Sequence, residues 1–375
     1  MGAISAVSAR TYMVVTFFFM LGTSILIAPA GLAQAAEQDA WIAAAFGFGL
    51  NLGIACLYLV LAERHEGQNL TQIAETLLGV WAGRVVGFLF SLFFYLLAAL
   101  MVGDMGFFMS SQILTETPIE ALEILFVAAV VSAVRSGFRS YAYAAEIFFP
   151  WIVLLLVLFV LPLLPLFDVD RLKPVLEQGI FPVFKGGLNF FGLQELVVLF
   201  MLYPRVETGG ARKRGFLLGV ALGGAVLVIM TTGCIGVLEA PLTANNLYPA
   251  YTLAKNIKIG RFLERIEGIM IFIWICSIFL KITLSFHASL IGFRQAFRIS
   301  DIRAILWPLA IGMIGLSLAC YPDMFFVIQF LSTCWLPFSS LFLIVLPMLL
   351  LAVSLLRGRA DGRDSVHPAS EGDNA

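Results

Sequence analysis

Charge is what this chain has least of. Of its 375 residues only 13% are Asp, Glu, Lys or Arg, while 61% are hydrophobic. A water-soluble domain carries roughly 25% charged residues, so this composition cannot cover a water-facing surface. Basic runs are absent and the formal net charge is −1, which argues against nucleic acid as a partner. Cysteine is sparse too. Cys56, Cys234, Cys276, Cys320 and Cys334 lie in or at the ends of apolar stretches, without CxxC spacing. They read as small packing residues, not as a disulfide or metal site. His65 and His367 fall in polar segments, and His287 near the end of an apolar one, where a structural role outweighs proton transfer. The sequence has no Walker motif, no HExxH and no GxSxG. It carries no enzyme signature and implies no cofactor.

What the chain does have is apolar length. With a mean hydropathy of +0.97, it shows spanning stretches at about 11–33, 40–62, 84–108, 119–134, 141–165, 184–203, 215–238, 266–291, 303–319 and 325–356. Each is near the roughly 20 residues a bilayer requires. The fold class is therefore an all-α polytopic membrane protein with ten transmembrane helices over residues 1–356. A polar, disordered cytoplasmic tail is expected over 357–375. The first stretch follows Arg10 and ends in AQA (Ala33 to Ala35), features of a signal peptide. It is longer than an h-region and polar at its middle, so it reads as a retained span. With the N-terminus inside, fifteen Lys/Arg fall in cytoplasmic segments and seven outside, the latter only in the two longest outer loops. Both termini are thus expected in the cytoplasm. NLTQIAETLLG (69–79) places Leu70, Ile73, Ala74, Leu77 and Leu78 on one face. It reads as a short helix on the inner surface, capped by Asn69 and ended by Gly79. The outer loop 239–265 is long enough to fold over a pocket mouth.

Two spans are broken. The first, TYMVVTFFFMLGTSILIAPAGLA, carries Gly22, Thr23 and Ser24 at its middle and Pro29 beyond; the sixth is interrupted near Gly192. Hydrocarbon does not tolerate freed backbone groups, so such breaks line a cavity or meet a ligand. Two broken helices five apart, entering from opposite sides, predict a five-plus-five inverted repeat. Two ionisable residues lie deep in spans: Glu195, beside Gln194 and below Asn189, and Lys281, in a polar stripe with Ser277 and Ser285. Counting about 1.5 Å per residue puts Glu195 roughly 16 Å and Lys281 roughly 22 Å from the outer side. They form either a structural pair between helices 6 and 8 or part of a ligand or ion site. Asp104, Glu146 and Glu267 sit nearer span ends and read as interfacial. The breaks suit a zwitterion: N–H groups after Ser24 would take a carboxylate, and carbonyls near Gly192, or Glu195, an ammonium. Tyr95, Phe190 and Phe191 would close the apolar side, although each has a plain packing reading.

LGTSILIAPAGLAQAAEQDAWIA (21–43), LTQIAE with LLG (70–79), Thr117-Pro118 and Met201-Leu202-Tyr203-Pro204 together resemble the spore-germination permeases, the B subunits of GerA-type nutrient germinant receptors. The resemblance spans nearly the whole chain in helix count and order, and the first motif is its most specific part. It implies the amino acid–polyamine–organocation superfamily and a LeuT-like fold. It also implies a place in the inner membrane of the spore beside an A-type subunit and a C-type lipoprotein, and a small germinant, commonly an amino acid. The pocket would include Gly22, Thr23 and Ser24 with Asn189 to Glu195. In sodium-coupled proteins of this architecture helices 1 and 8 hold a cation, and Lys281 would stand in its place. A proton-coupled amino-acid permease is the alternative the fold equally permits. A scaffold with a vestigial pocket is a third reading.

Overall fold

The computed structural model of the chain describes residues 6–256, 266–321, 327 and 329–364, with side chains as far as Arg357. Apart from one isolated bridge, the described residues are helices and their connections. Eight stretches are long and apolar enough to cross a membrane, with Ala9–Leu21 as a shorter apolar helix. The reading of ten differs because Ser24–Arg64 counts as one stretch. In addition, Ile119–Ser136, which carries Glu120, Glu123 and Arg135, is not among the eight.

The first span is broken where the sequence predicts. Helix α1 (Ala9–Leu21) starts on Ser8, whose Oγ accepts from the Thr11 amide at 3.1 Å. It stops at Gly22, which takes φ +27°, a backbone conformation that disfavours any Cβ. A Cβ there would also collide with the Lys281 side chain. Helix α2 (Ser24–Ala36) restarts two residues on. Next come α3 (Ala40–Arg64) and the short α4 (Leu70–Leu78). In α4, Asn69 and Gln72 form a reciprocal capping box and Gly79 at φ +86° ends the helix. Its Leu70, Ile73, Ala74 and Leu77 are buried, so its apolar face packs on the bundle.

The long α5 (Val80–Gln112), α6 (Ile119–Ser136) and α7 (Phe138–Val160) follow. The sixth span breaks into α8 (Ile180–Gly192) and α9 (Val197–Leu202). Then come α10 (Gly210–Leu238), α11 (Ala240–Ala244), α12 (Pro249–Asn256), α13 (Glu267–Ala296) and α14 (Arg303–Cys320). The final helix, α15 (residues 331–364), contains π turns at Leu331–Trp335 and Leu341–Val345. Pro337 and Pro347 follow these turns and cannot donate to the preceding one. The helix runs on to Asp364, inside the segment expected to be a disordered tail. Residues 365–375 lie outside the described residues, as do 257–265 of the outer loop.

Burial sorts the spans. The most apolar stretch of Ile180–Arg205 is 83% buried, whereas those of Phe138–Leu166 and Arg303–Cys320 are 22% buried. The broken sixth span is therefore central, and α7 and α14 face lipid. Glycines let the central helices approach. A Cβ at Gly215, Gly219 or Gly223 of α10 would strike Ala9, Met13 and Met20 of α1, and Gly47 of α3 lies against Gly187 of α8. Small residues at such crossings are how membrane helices pack without a hydrophobic drive.

Candidate functional site

The two breaks come together. Gln194, in the break of the sixth span, donates from Nε2 to Ser24 Oγ at 2.8 Å, and Ser24 is fully buried at the start of α2. Across from them, α13 projects Lys281 into the same region. Its ammonium lies 2.9 Å from Glu195 Oε2, donates to the Leu193 carbonyl at 3.1 Å, and sits 5.1 Å from the centre of the Phe19 ring. Both ions are almost wholly buried. Of the alternatives open at the sequence level, the geometry is that of a direct ion pair that ties α13 to both broken spans. Trp335 of α15 closes the other side by donating from Nε1 to the Gly192 carbonyl at 2.9 Å. A carbonyl released by the break is thus satisfied by a side chain.

Above this floor lies a half-open cavity of about 350 Å³, within the range of small-molecule sites. Ile27 and Gly31 line it from α2 and Thr23 from the cap before it, Asn189 and Lys185 from α8, and Leu193 and Glu195 from the break. A stripe of Leu97, Leu100, Met101 and Asp104 comes from α5, at the spacing that puts side chains on one helix face. Tyr321, Leu331 and Trp335 supply the remaining wall, and Asn246 and Leu247 of the loop before α12 reach the mouth. Gln34 lines the mouth too and donates to the Ala244 carbonyl at 2.9 Å.

The expected residues divide. Thr23, Asn189 and Glu195 line the cavity. Gly22, Ser24, Gly192 and Gln194 build the breaks behind it. Tyr95, Phe190 and Phe191 are buried but do not line it. Tyr95 turns toward α14, where its hydroxyl donates to the Leu309 carbonyl at 2.8 Å. Ser277 donates to the Trp274 carbonyl, and Ser285 Oγ is buried without a partner. Asp104, read from the sequence as interfacial, is instead 5% exposed with Oδ2 unpartnered, and it lines the cavity. Lys185, Tyr321 and Trp335 were likewise missed. No spacing rule joins them to the breaks.

The opposite end is shut. Val7 makes a parallel bridge to Val206, through Val7 N–H to the Arg205 carbonyl and Glu207 N–H to the Val7 carbonyl at 3.0 and 2.9 Å. Thr11 and Arg10 both engage Glu146, at 2.6 and 3.3 Å, and Tyr12 donates to the Leu199 carbonyl. His287 lies between the Tyr141 hydroxyl at 2.8 Å and Arg205 at 3.3 Å, a satisfied structural position.

Spanning helices, two interrupted at one depth around a cavity open at one end, define a permease-type integral membrane protein. The family described as spore germination protein matches residues 6–323, and the chain belongs to that family. Among its relatives, spore germination protein KB of Bacillus subtilis (strain 168) is 27% identical over 319 residues, covering 83% of this chain and 84% of that protein. Spore germination protein A2 of the same organism is 23% identical over 350 residues, covering 91% and 93%. Of solved structures, Mhp1 is similar in fold. It is a nucleobase-cation-symport-1 family transporter, in a closed conformation with bromovinylhydantoin bound. The TM-score is 0.67 at 12% identity, over 92% of this chain and 80% of that one. The fold is LeuT-like, as the resemblance implied. The family is one of permease-type membrane proteins, not of enzymes.

Proposed function

We propose that this chain is the membrane-embedded B subunit of a spore nutrient germinant receptor. It binds a small germinant, an amino acid, between the broken helices and signals to an A-type membrane subunit and a C-type lipoprotein. One observation carries the reading: in a chain of the germination family, a cavity of about 350 Å³ sits at two helix breaks and is closed at its far end. The start of α2, at Thr23 and Ser24, is the place for the ligand's carboxylate, where unpaired N–H groups and the helix dipole favour an anion. Ligand that binds one arrangement of the bundle better than another shifts the population by that difference, and the partners read the shift. Lys281 fills the cation position between the first span and α13. The Lys/Arg asymmetry supports cytoplasmic termini, and the inner membrane of the spore is the expected site. The transporter-like fold keeps a proton-coupled amino-acid permease as the rival.

Germination of spores lacking this chain, challenged with single nutrients, separates the two. Loss of the response to one nutrient or blend, with vegetative uptake intact, is the expected result. Normal germination with one amino acid's uptake lost overturns the receptor reading in favour of the permease.

A further inference from the structure

We infer that Asp104, and not Glu195, is the group that holds the cationic amine of the ligand. The inference rests on the proposed small-solute site and adds the chemistry of one end of its occupant. Glu195 is the obvious carboxylate by depth, but its charge is already met by Lys281 at 2.9 Å. Among the described residues Asp104 has no such ion pair. It sits on the cavity-facing stripe of α5, one turn beyond Leu100 and Met101, with Oδ2 buried and unbonded. A buried carboxylate oxygen without a hydrogen bond, on a group with no ion pair of its own, is expensive, and inside a membrane span such a group marks a place that a cation can occupy.

Its surroundings point the same way. Tyr248 packs edge-on against Phe108, one turn beyond Asp104, and its hydroxyl is also buried without a partner. Tyr248 and Tyr321 both lie within electrostatic reach of Asp104. Lys281 is the cation whose field reaches it, and that ammonium is committed to Glu195 and the Leu193 carbonyl. Lys185 lines the same cavity but is exposed at its rim. Asp104 on the cavity wall, with the Tyr248 phenol within electrostatic reach behind it and both with a polar oxygen unbonded among the described residues, offers acceptors to an N–H⁺ donor. Charge-assisted bonds to carboxylate are the strong ones. With the anion-favouring start of α2 on another wall, the cavity has one pole for each end of a zwitterion, and the amine pole is on α5.

The test uses the full-length protein in nanodiscs and Asp104→Asn, which keeps the shape and removes the charge. The probes are the twenty proteinogenic amino acids taken singly, each with its decarboxylated amine and its deaminated acid, read by calorimetry. Wild type is expected to bind an amino acid and its amine but not the deaminated acid. Asp104→Asn should weaken that binding by about tenfold or more, with Asp104→Glu recovering part of it and both variants monodisperse. Undiminished amino-acid binding by Asp104→Asn overturns the inference and leaves the receptor reading standing. Binding of amines but of no amino acid supports the Asp104 assignment and removes the amino-acid reading. Preference for deaminated acids, or binding of no probe that carries an amine, overturns the inference.

Discussion

Lys281 and Glu195 show what one residue decides. Each is a charge in an apolar run, visible in the sequence because its cost in hydrocarbon has to be met by a partner. Their burial together makes the pair non-additive: removing one partner strands the other, at about 3–5 kcal/mol. Lys281→Met is therefore expected to lower the melting temperature of the purified protein sharply. Adding Glu195→Gln to Lys281→Met should return most of the loss, and melting curves of the two singles and the double read the cycle. Additive losses would mean that the two groups act separately. Asp104 was misjudged for a physical reason. Hydropathy ends the third span near residue 108, four residues beyond it, but the helix runs on to Gln112. At about 1.5 Å per residue this sets Asp104 roughly 12 Å below the helix end. Helix propensity does not stop where hydropathy does.

At the scale of elements, the join between α1 and α10 depends on a stripe of Gly215, Gly219 and Gly223 that meets backbone and side chains of α1. Gly219→Val would push against the Met13 carbonyl and Thr16, and overpacking of this kind costs about 1–3 kcal/mol. Gly210, at the start of the same helix, has open space at its Cβ position. Gly210→Ala should be neutral or slightly stabilising, since it narrows the unfolded ensemble. Thermal melts of the two variants compare a packed glycine with an open one on a single helix, and equal melts would remove the packing role. The breaks themselves were readable element by element. Gly22 and Gly192 interrupt otherwise continuous apolar runs, and dihedral and hydrogen-bond costs are local. Which helices the breaks would face was not local. Trp335, 143 residues from the carbonyl it caps, has no sequence signal for that contact.

The whole molecule is asymmetric: its cavity is open at one end, with the bridge between Val7 and Val206 across the other. In a background with the five native cysteines replaced by alanine, Gln34→Cys at the mouth should react rapidly with a bulky water-soluble maleimide. Thr16→Cys, fully buried on α1, should stay unlabelled in the folded protein. Comparable labelling of both would show that the bundle spends its time in another arrangement. The side on which the reactive end lies, read in intact right-side-out and inverted vesicles, also tests the orientation drawn from the Lys/Arg asymmetry.

The sequence by itself determined that the chain lives in a membrane, because hydropathy is summed over neighbouring residues. It determined that two spans are broken, because a glycine at mid-span alters only its own turn. It also determined the capped surface helix at 70–78, because capping acts over three or four residues. Only the tertiary structure decided that, among the described residues, Glu195 is paired while Asp104 is not, and that Tyr95 looks away from the cavity toward α14. It also brought the walls together from α2, α5, α8 and α15, with the loop before α12 at the mouth. Those outcomes turn on distances between segments that lie about 50 or more residues apart, and no local preference encodes which of two buried carboxylates a single lysine will reach.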